Sequence, residues 1–210
     1  MAGTNLEALD LAELLCSRVC HDLISPVGAI VNGLEVMEED KSEETKTFAL
    51  ELIKSSVKKA SARLQFCRLA FGAAGSAGAQ IDLSDAETVS RGFLEDDKTK
   101  LNWDLPRALL PKNRVKLLLN MLLIAGQTIP RGGILTASPV GSGETMGFRV
   151  SAAGLNARMP QAVPGLLAAD PGGPIDAHAV QPYYTGLLAR NCGLAIALAP
   201  EGETIVVTAR

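Results

Sequence analysis

The chain has 210 residues and a net charge of −3, and 47% of its residues are hydrophobic but only 4% aromatic. This length allows one or two small domains with an aliphatic core. The balanced charge argues against a nucleic-acid-binding protein. The sequence has no uncharged apolar run of membrane-spanning length, and residues 1–10 lack the pattern of a signal peptide. We therefore expect a cytoplasmic protein that contacts neither membrane nor nucleic acid.

The four cysteines are Cys16, Cys20, Cys67 and Cys192, and none of them forms a CxxC pair. A metal site built from Cys16, Cys20 and His21 is disfavoured, because His21 points away from the face that the two cysteines share. We expect no bound metal, and we interpret the cysteines as reduced, buried thiols that pack like small hydrophobic residues.

Residues 6–38 are predicted to form one long amphipathic helix. Its apolar positions recur at steps of three and four, as in a helical bundle: Cys16, Cys20, Leu23, Val27, Ile30, Leu34 and Met37. His21 follows Cys20 and is rotated by about 100° from this apolar stripe. It is either an ordinary surface histidine or an exposed nucleophile, and imidazole is suited to the second role near neutral pH.

A second helix is predicted from Ser42, which can cap its first turn, to about Phe71. Its apolar stripe has the same spacing: Leu50, Ile53, Val57, Ala60, Leu64, Cys67 and Phe71. The short connection predicts an antiparallel hairpin. Two helices cannot bury both stripes by themselves. Either a second copy completes a four-helix bundle, which we favour, or the C-terminal half of the chain covers the hairpin.

The sequence predicts three segments: a helical hairpin over residues 1–73, a linker over 74–80 and a second domain over 81–210. In the second domain we predict helices over 83–98, 111–128 and 179–191, and a loop with a short helix over 160–174. Strands are predicted over 101–105, 134–139, 147–153, 194–198 and 204–208. The order of these elements predicts an α+β sandwich, with one mixed sheet and helices on one face.

The run His21-Asp22-Leu23-Ile24-Ser25-Pro26 resembles the H-box of the histidine kinase dimerisation and phosphotransfer domain, and it lies on the first helix of a hairpin, as in that family. The second half resembles the ATP-binding fold of the same kinases. Residues 119–125 correspond to its asparagine box, and residues 128–133 continue the match. The resemblance implies a degenerate α/β sandwich of the histidine kinase ATPase type after the hairpin.

Three parts of the family's nucleotide site have changed. The metal-chelating asparagine is replaced by Ile124, which cannot coordinate Mg²⁺. The adenine-binding aspartate is replaced by Ala152, and the second glycine of that motif by Asn156. The lid region around Gly186 has one glycine where a Gly-x-Gly run is expected. We therefore expect the chain to bind no nucleotide cofactor.

With an H-box and a degenerate kinase half, the chain resembles the ChpT family of bacterial histidine phosphotransferases over nearly its whole length, most closely in residues 11–22 and 181–194. The resemblance implies a homodimer in which His21 accepts phosphate from the receiver domain of a hybrid histidine kinase. The phosphate then passes to response regulators that control the cell cycle. Mg²⁺ is expected to come from the receiver domain.

The positions around His21 have candidate roles. Asp22 orients the ring or is a solvated surface acid, and Arg18 neutralises phosphate or is an ordinary surface arginine. Pro26 removes the helical hydrogen bond to the Asp22 carbonyl and loosens the helix. The residues expected to contact a docked receiver are Ser25, Pro26, Gly28, Ala29 and Asn32 on the first helix and Lys54, Ser55 and Lys58 on the second. The three from the second helix are either a docking site for an acidic receiver or a plain solvated face.

Two other functions stay open. An active ATP-dependent histidine kinase shares the same architecture but needs the residues lost at Ile124 and Ala152. A non-enzymatic dimeric scaffold makes His21 incidental. His178 has no predicted role.

Overall fold

A computed structural model describes residues 6–72, 78–143, 146–170 and 173–210. The helices are α1 (Ala8–Glu39), α2 (Glu43–Ala70), α3 (Leu83–Leu94), α4 (Lys112–Thr128), α5 (Val163–Leu167) and α6 (Val180–Asn191). The strands are β1 (Gln80–Asp82), β2 (Thr99–Trp103), β3 (Leu109–Pro111), β4 (Gly133–Val140), β5 (Gly147–Ala153), β6 (Ile196–Glu201) and β7 (Thr204–Ala209). The predicted boundary at residue 73 and linker residues 74–77 lie outside the described residues.

The helices α1 and α2 form the predicted antiparallel hairpin. The predicted cap at Ser42 is confirmed, because its hydroxyl accepts a hydrogen bond from the backbone N–H of Thr45 at 3.3 Å. Asp40 reinforces the turn by accepting from the backbone N–H of Ser42 at 2.8 Å and from the Thr45 hydroxyl at 2.7 Å. These bonds fix the sharp reversal between the two helices.

Packing within the hairpin uses only part of each apolar stripe. Gly33 of α1 is buried, and a Cβ there would lie 2.7 Å from Ile53, so the helices approach closely at this level. The other sides of both helices stay exposed. Their apolar residues include two rows with heptad spacing, Cys20, Val27 and Leu34 on α1 and Leu50, Val57 and Leu64 on α2. The prediction that the cysteines are buried is therefore wrong for Cys16 and Cys20 in the single chain, whereas Cys67 is buried.

The C-terminal domain has a five-stranded mixed sheet in the order β2-β4-β5-β7-β6, in which only the β2–β4 pair is parallel. Phe148, Val150 and Ala152 of β5 are buried, and Arg149 and Ser151 between them are half-buried. This alternation confirms that helices cover one face of the sheet. α4 forms the centre of that layer, and 12 of its 17 residues are buried.

Some elements differ from the prediction. α3 ends at Leu94 rather than at residue 98, because Glu95 has an extended backbone. Its cap is Asp82, whose carboxylate accepts from the backbone N–H of Ser84. Two three-residue strands, β1 and β3, pair with each other and were not predicted, since three residues are too few for a periodic pattern.

The C-terminal domain packs on the open end of the hairpin. Phe66 of α2 stacks on Phe93 of α3 with ring centroids 4.4 Å apart. The Asn120 side chain of α4 donates to the carbonyl of Ala70 at 3.1 Å. The C-terminal half therefore covers one end of the hairpin, as one of the two alternatives predicted, and the exposed rows remain uncovered in the single chain.

By length and composition, α1 passes as a helix that could cross a membrane. The sequence analysis considered only uncharged apolar runs and therefore did not predict that α1 would pass this test. Part of its apolar surface lies against α2, and the rest lies along the exposed rows.

Candidate functional site

His21 lies in the first half of α1 with its side chain 67% exposed, as its register predicts. Its Nδ1 atom is 3.7 Å from a carboxylate oxygen of Asp22. A carboxylate beside Nδ1 favours the tautomer with the proton on that nitrogen, which leaves the Nε2 lone pair free. The Nε2 edge of the exposed ring is the one turned away from this carboxylate.

Asp22 is held by a salt bridge rather than solvated. The Nε atom of Arg18 lies 3.0 and 3.2 Å from the two carboxylate oxygens of Asp22. Both side chains are largely buried, with 14% and 17% exposed. The pair spans one helical turn, so the helix itself fixes the carboxylate beside His21. Between the two interpretations left open by the sequence, the structure favours Asp22 as an orienting group.

Pro26 leaves the backbone carbonyl of Asp22 without its helical donor, as predicted. The structure supplies a replacement, because a guanidinium nitrogen of Arg63 on α2 donates to this oxygen. Pro26 itself is buried. Pro26 therefore does not line a docking surface, and its assignment as a contact residue is wrong. Its effect on the site comes through the backbone, at the carbonyl of Asp22. Arg63 was missed by the sequence analysis: the proline signals an unpaired carbonyl but does not say which side chain reaches it.

The other predicted docking residues lie beside His21 along the hairpin. Ser25 and Asn32 are exposed, and Gly28 and Ala29 are half-buried. Two contacts show which residues of α1 and α2 lie opposite each other: Arg63 bonds to Asp22, and Ile53 lies against Gly33. Residue 58 is midway between positions 53 and 63, so it lies near the level of residue 28. The exposed side chains of Lys54, Ser55 and Lys58 share this part of the hairpin.

His178, which precedes α6, contacts His21. The centroids of the two imidazole rings are 5.6 Å apart, and the ring planes meet at 79°, an edge-on arrangement. No sequence motif connects residues so far apart in the chain. The C-terminal domain therefore contributes a side chain to the surroundings of His21.

The residues that replace the nucleotide motifs are built into the fold. Ile124 is fully buried in α4, and Ala152 is fully buried in β5. Asn156 occupies a turn with a positive φ of 59°. Gly186 lies inside α6, where a Cβ would clash with the carbonyl oxygen of Leu167 in α5. The single glycine of the expected lid thus allows α5 and α6 to pack closely.

Within residues 6–72, 78–143, 146–170 and 173–210, no cluster of three or more His, Cys, Asp or Glu side chains is arranged to hold a metal ion. His21, Asp22 and Arg18 are the groups that the fold brings together. They place an exposed imidazole beside a carboxylate, which the guanidinium of Arg18 holds.

Comparison with known proteins shows the family of the chain. A family model described as the histidine phosphotransferase C-terminal domain matches residues 83–204. The chain is 53% identical over 205 residues to protein phosphotransferase ChpT from Brucella abortus (strain 2308), and 97% of each chain is covered. A bacterial phosphotransferase whose structure was solved at 1.7 Å superposes with a TM-score of 0.89 at 50% identity, covering 100% of both chains. The chain belongs to the histidine phosphotransferase family.

Proposed function

We propose that the protein relays phosphoryl groups in a His–Asp phosphorelay. His21 accepts the group from an aspartyl phosphate on the receiver domain of a hybrid histidine kinase and passes it to the aspartate of a response regulator. The exposed His21 ring beside the clamped Asp22 carboxylate is the observation that carries this proposal. A surface histidine without a role would not need a largely buried ion pair at its Nδ1 side.

The chemistry needs little from this chain beyond position. The Nε2 lone pair of His21 forms the new N–P bond while the receiver carboxylate leaves with the electron pair of the old P–O bond. Phosphoryl transfer passes through a loose transition state, so orientation and charge neutralisation supply most of the catalysis. The second transfer is the reverse reaction with a different carboxylate, and mass action sets its direction.

The proposal assigns no nucleotide and no metal ion to this chain. Ile124 and Ala152 offer no oxygen or charge where the kinase family binds Mg²⁺ and adenine, and both are buried in the core. Mg²⁺ is supplied by the acidic pocket of the docked receiver. The phosphoryl group then reaches His21 from a protein rather than from ATP.

A homodimer is part of the proposal. The exposed heptad rows that include Val27 and Val57 match the apolar faces that a four-helix bundle buries between its hairpins. Between the two helices, an apolar groove of about 520 Å³ continues these rows beneath His21 and is lined by residues including Val19, Leu64 and Phe71. A second copy related by a two-fold axis covers the rows and the groove of one hairpin with the rows and the groove of the other.

The docking surface we propose follows the hairpin from His21, with Ser25, Gly28, Ala29 and Asn32 on α1 as its floor. Lys54 and Lys58 on α2 attract an acidic receiver during the encounter. Receivers of the hybrid kinase and of response regulators use the same surface in turn, because each must bring its aspartate to one histidine. The response regulators are those that control the cell cycle, and the relay operates in the cytoplasm.

The test is a phosphotransfer assay with two donors. Wild-type protein and His21→Ala are each mixed with a receiver domain that carries ³²P-labelled aspartyl phosphate and, separately, with labelled ATP. We expect label on the wild-type protein from the receiver alone, stable in alkali and labile in acid. His21→Ala should remain unlabelled.

Two results would contradict the proposal. Label from ATP alone would establish an active kinase instead. No label from the phosphorylated receiver, with folding and dimer formation intact, would establish a scaffold.

A further inference from the structure

We propose that His178 is a second residue of the phosphotransfer site, which donates a hydrogen bond to the phosphoryl group while His21 carries it. This inference rests on the proposed function, because it takes His21 as the phosphoacceptor. It adds a group from the C-terminal domain to a site otherwise built from the hairpin.

The contact between the rings is unusual for its setting. The centroids are 5.6 Å apart in an edge-on geometry, so the edge of one imidazole is directed at the other ring. Both residues are exposed, and neither belongs to the apolar core. Burial of apolar surface therefore does not explain the contact, and both rings remain open to a docked partner.

Asp176 holds the backbone of His178 in place. Its carboxylate accepts hydrogen bonds from the backbone N–H groups of Ala179 at 2.8 Å and of His178 at 2.9 Å. These bonds, that of Ala179 first, lower the pKa of Asp176, so the carboxylate stays ionised at neutral pH. A fixed turn presents the His178 ring with less loss of conformational entropy than a free loop would.

The helix that follows this turn is anchored to the hairpin. The buried Tyr183 hydroxyl of α6 accepts a hydrogen bond from the backbone N–H of Leu6, just before α1, at 3.3 Å. Gln181 is fully buried and donates to Asn120, whose side chain in turn reaches the carbonyl of Ala70 in α2. The position of His178 relative to His21 is therefore set by bonds to both helices of the hairpin.

A phosphoryl group carried by His21 lies within reach of the His178 imidazole, because the two ring centroids are only 5.6 Å apart. An imidazole N–H is a hydrogen-bond donor, and its bond to an anionic oxygen is of the stronger, charge-assisted kind. The hydrogen bond follows the phosphoryl oxygens into the transition state of transfer, where it neutralises the charge spread over them, so its loss slows transfer. His178 keeps its proton throughout and takes no covalent part.

The experiment compares His178→Phe, which keeps a ring but has no donor, with His178→Gln, which restores an N–H donor. Each full-length variant is phosphorylated with phosphoramidate. It is then mixed with the unphosphorylated receiver domain of a hybrid histidine kinase, and single-turnover transfer and receiver affinity are measured. We expect His178→Phe to slow transfer about tenfold with unchanged receiver affinity and melting temperature, and His178→Gln to recover most of the rate.

The outcomes separate this inference from the proposed function. Labelling at His21 with equal transfer rates for wild type and His178→Phe overturns the role of His178 alone. Equal loss in both variants also overturns it, because the donor then does not matter. If His21→Ala is labelled as well as wild type is, the proposed function itself fails, and labelling that requires His178 instead of His21 overturns both.

Discussion

The Arg63 guanidinium on α2 donates a hydrogen bond to the backbone carbonyl of Asp22, the group that Pro26 leaves without a helical partner. One side chain thus connects the two helices at the residue next to His21. The proline leaves the carbonyl unpaired and the arginine pairs it, so the backbone beside His21 is held from the opposite helix.

This relationship predicts the outcome of a double-mutant cycle. Arg63→Met removes the donor and leaves a carbonyl unpaired, which should reduce the free energy of unfolding by about 1–3 kcal/mol. In the Pro26→Ala background, the new alanine supplies the missing backbone N–H, so the same change at Arg63 should cost less than about 1 kcal/mol. Urea unfolding of all four proteins at one concentration measures the coupling. An equal cost in both backgrounds would mean that Arg63 acts through some other contact.

The exposed heptad rows predict that a charge at Val57 separates the proposed dimer. Val57 is 48% exposed in the single chain. In the dimer, Val57→Glu would bury an unpaired carboxylate, so we expect the dimer dissociation constant to rise at least about a hundredfold. Sedimentation equilibrium measures this constant. Leu155→Glu is the matched control, because Leu155 is 71% exposed on the C-terminal domain and should not alter assembly. A dimer that tolerates both changes would place the interface elsewhere.

The buried amide of Gln181 predicts a large stability effect. Its nitrogen lies 3.0 Å from both the backbone and the side-chain oxygen of Asn120, and 3.1 Å from the Thr185 hydroxyl. Gln181→Leu leaves these oxygens without that donor, and we expect a loss of about 2 kcal/mol in the free energy of unfolding. Asn113→Ala, at an exposed amide pair, is the control and should change stability by less than about 0.5 kcal/mol. Thermal and urea unfolding test both variants.

Cys67 is predicted to react slowly with alkylating reagents. Burial, with a further contribution from the Asp22 charge, raises the pKa of its thiol to about 11 from 9.0. Only the thiolate reacts, so at pH 9 about 1% of Cys67 is reactive, against about half of an ordinary thiol. A variant that keeps Cys67 and carries serine at the other three positions isolates this thiol. Iodoacetamide labelling from pH 7 to 9 should proceed slowly in the native protein and rapidly in concentrated urea. Fast labelling of the native protein would show that the thiol is accessible and ionised.

Local patterns in the sequence were sufficient to predict most of the helices and strands. The three-four spacing predicted both helices of the hairpin and the outward position of His21, and Ser42 predicted the turn. The order of strands and helices in the second half was largely correct, and it failed for the three-residue strands β1 and β3 because they are shorter than any detectable period.

These local patterns could not predict contacts between residues that are far apart in the sequence. The sequence indicated that the Asp22 carbonyl lacks a donor, but the donor is Arg63, 41 residues away on another helix. It placed Pro26 among the contact residues, although the helix rotation that buries this proline depends on how α2 packs. It assigned no role to His178, whose ring reaches His21 because α6 is bonded to Leu6, just before α1, and through Asn120 of α4 to the end of α2.

The sequence by itself determined the two amphipathic helices, the exposed histidine next to an acid and the loss of the nucleotide-binding residues, because periodicity and residue chemistry act over a few neighbouring positions. Only the tertiary structure decided which apolar rows stay uncovered, that Arg63 reaches the carbonyl of Asp22 and that His178 lies beside His21. Those features depend on the relative rotation and distance of packed elements, which are set by the summed contacts of the whole core.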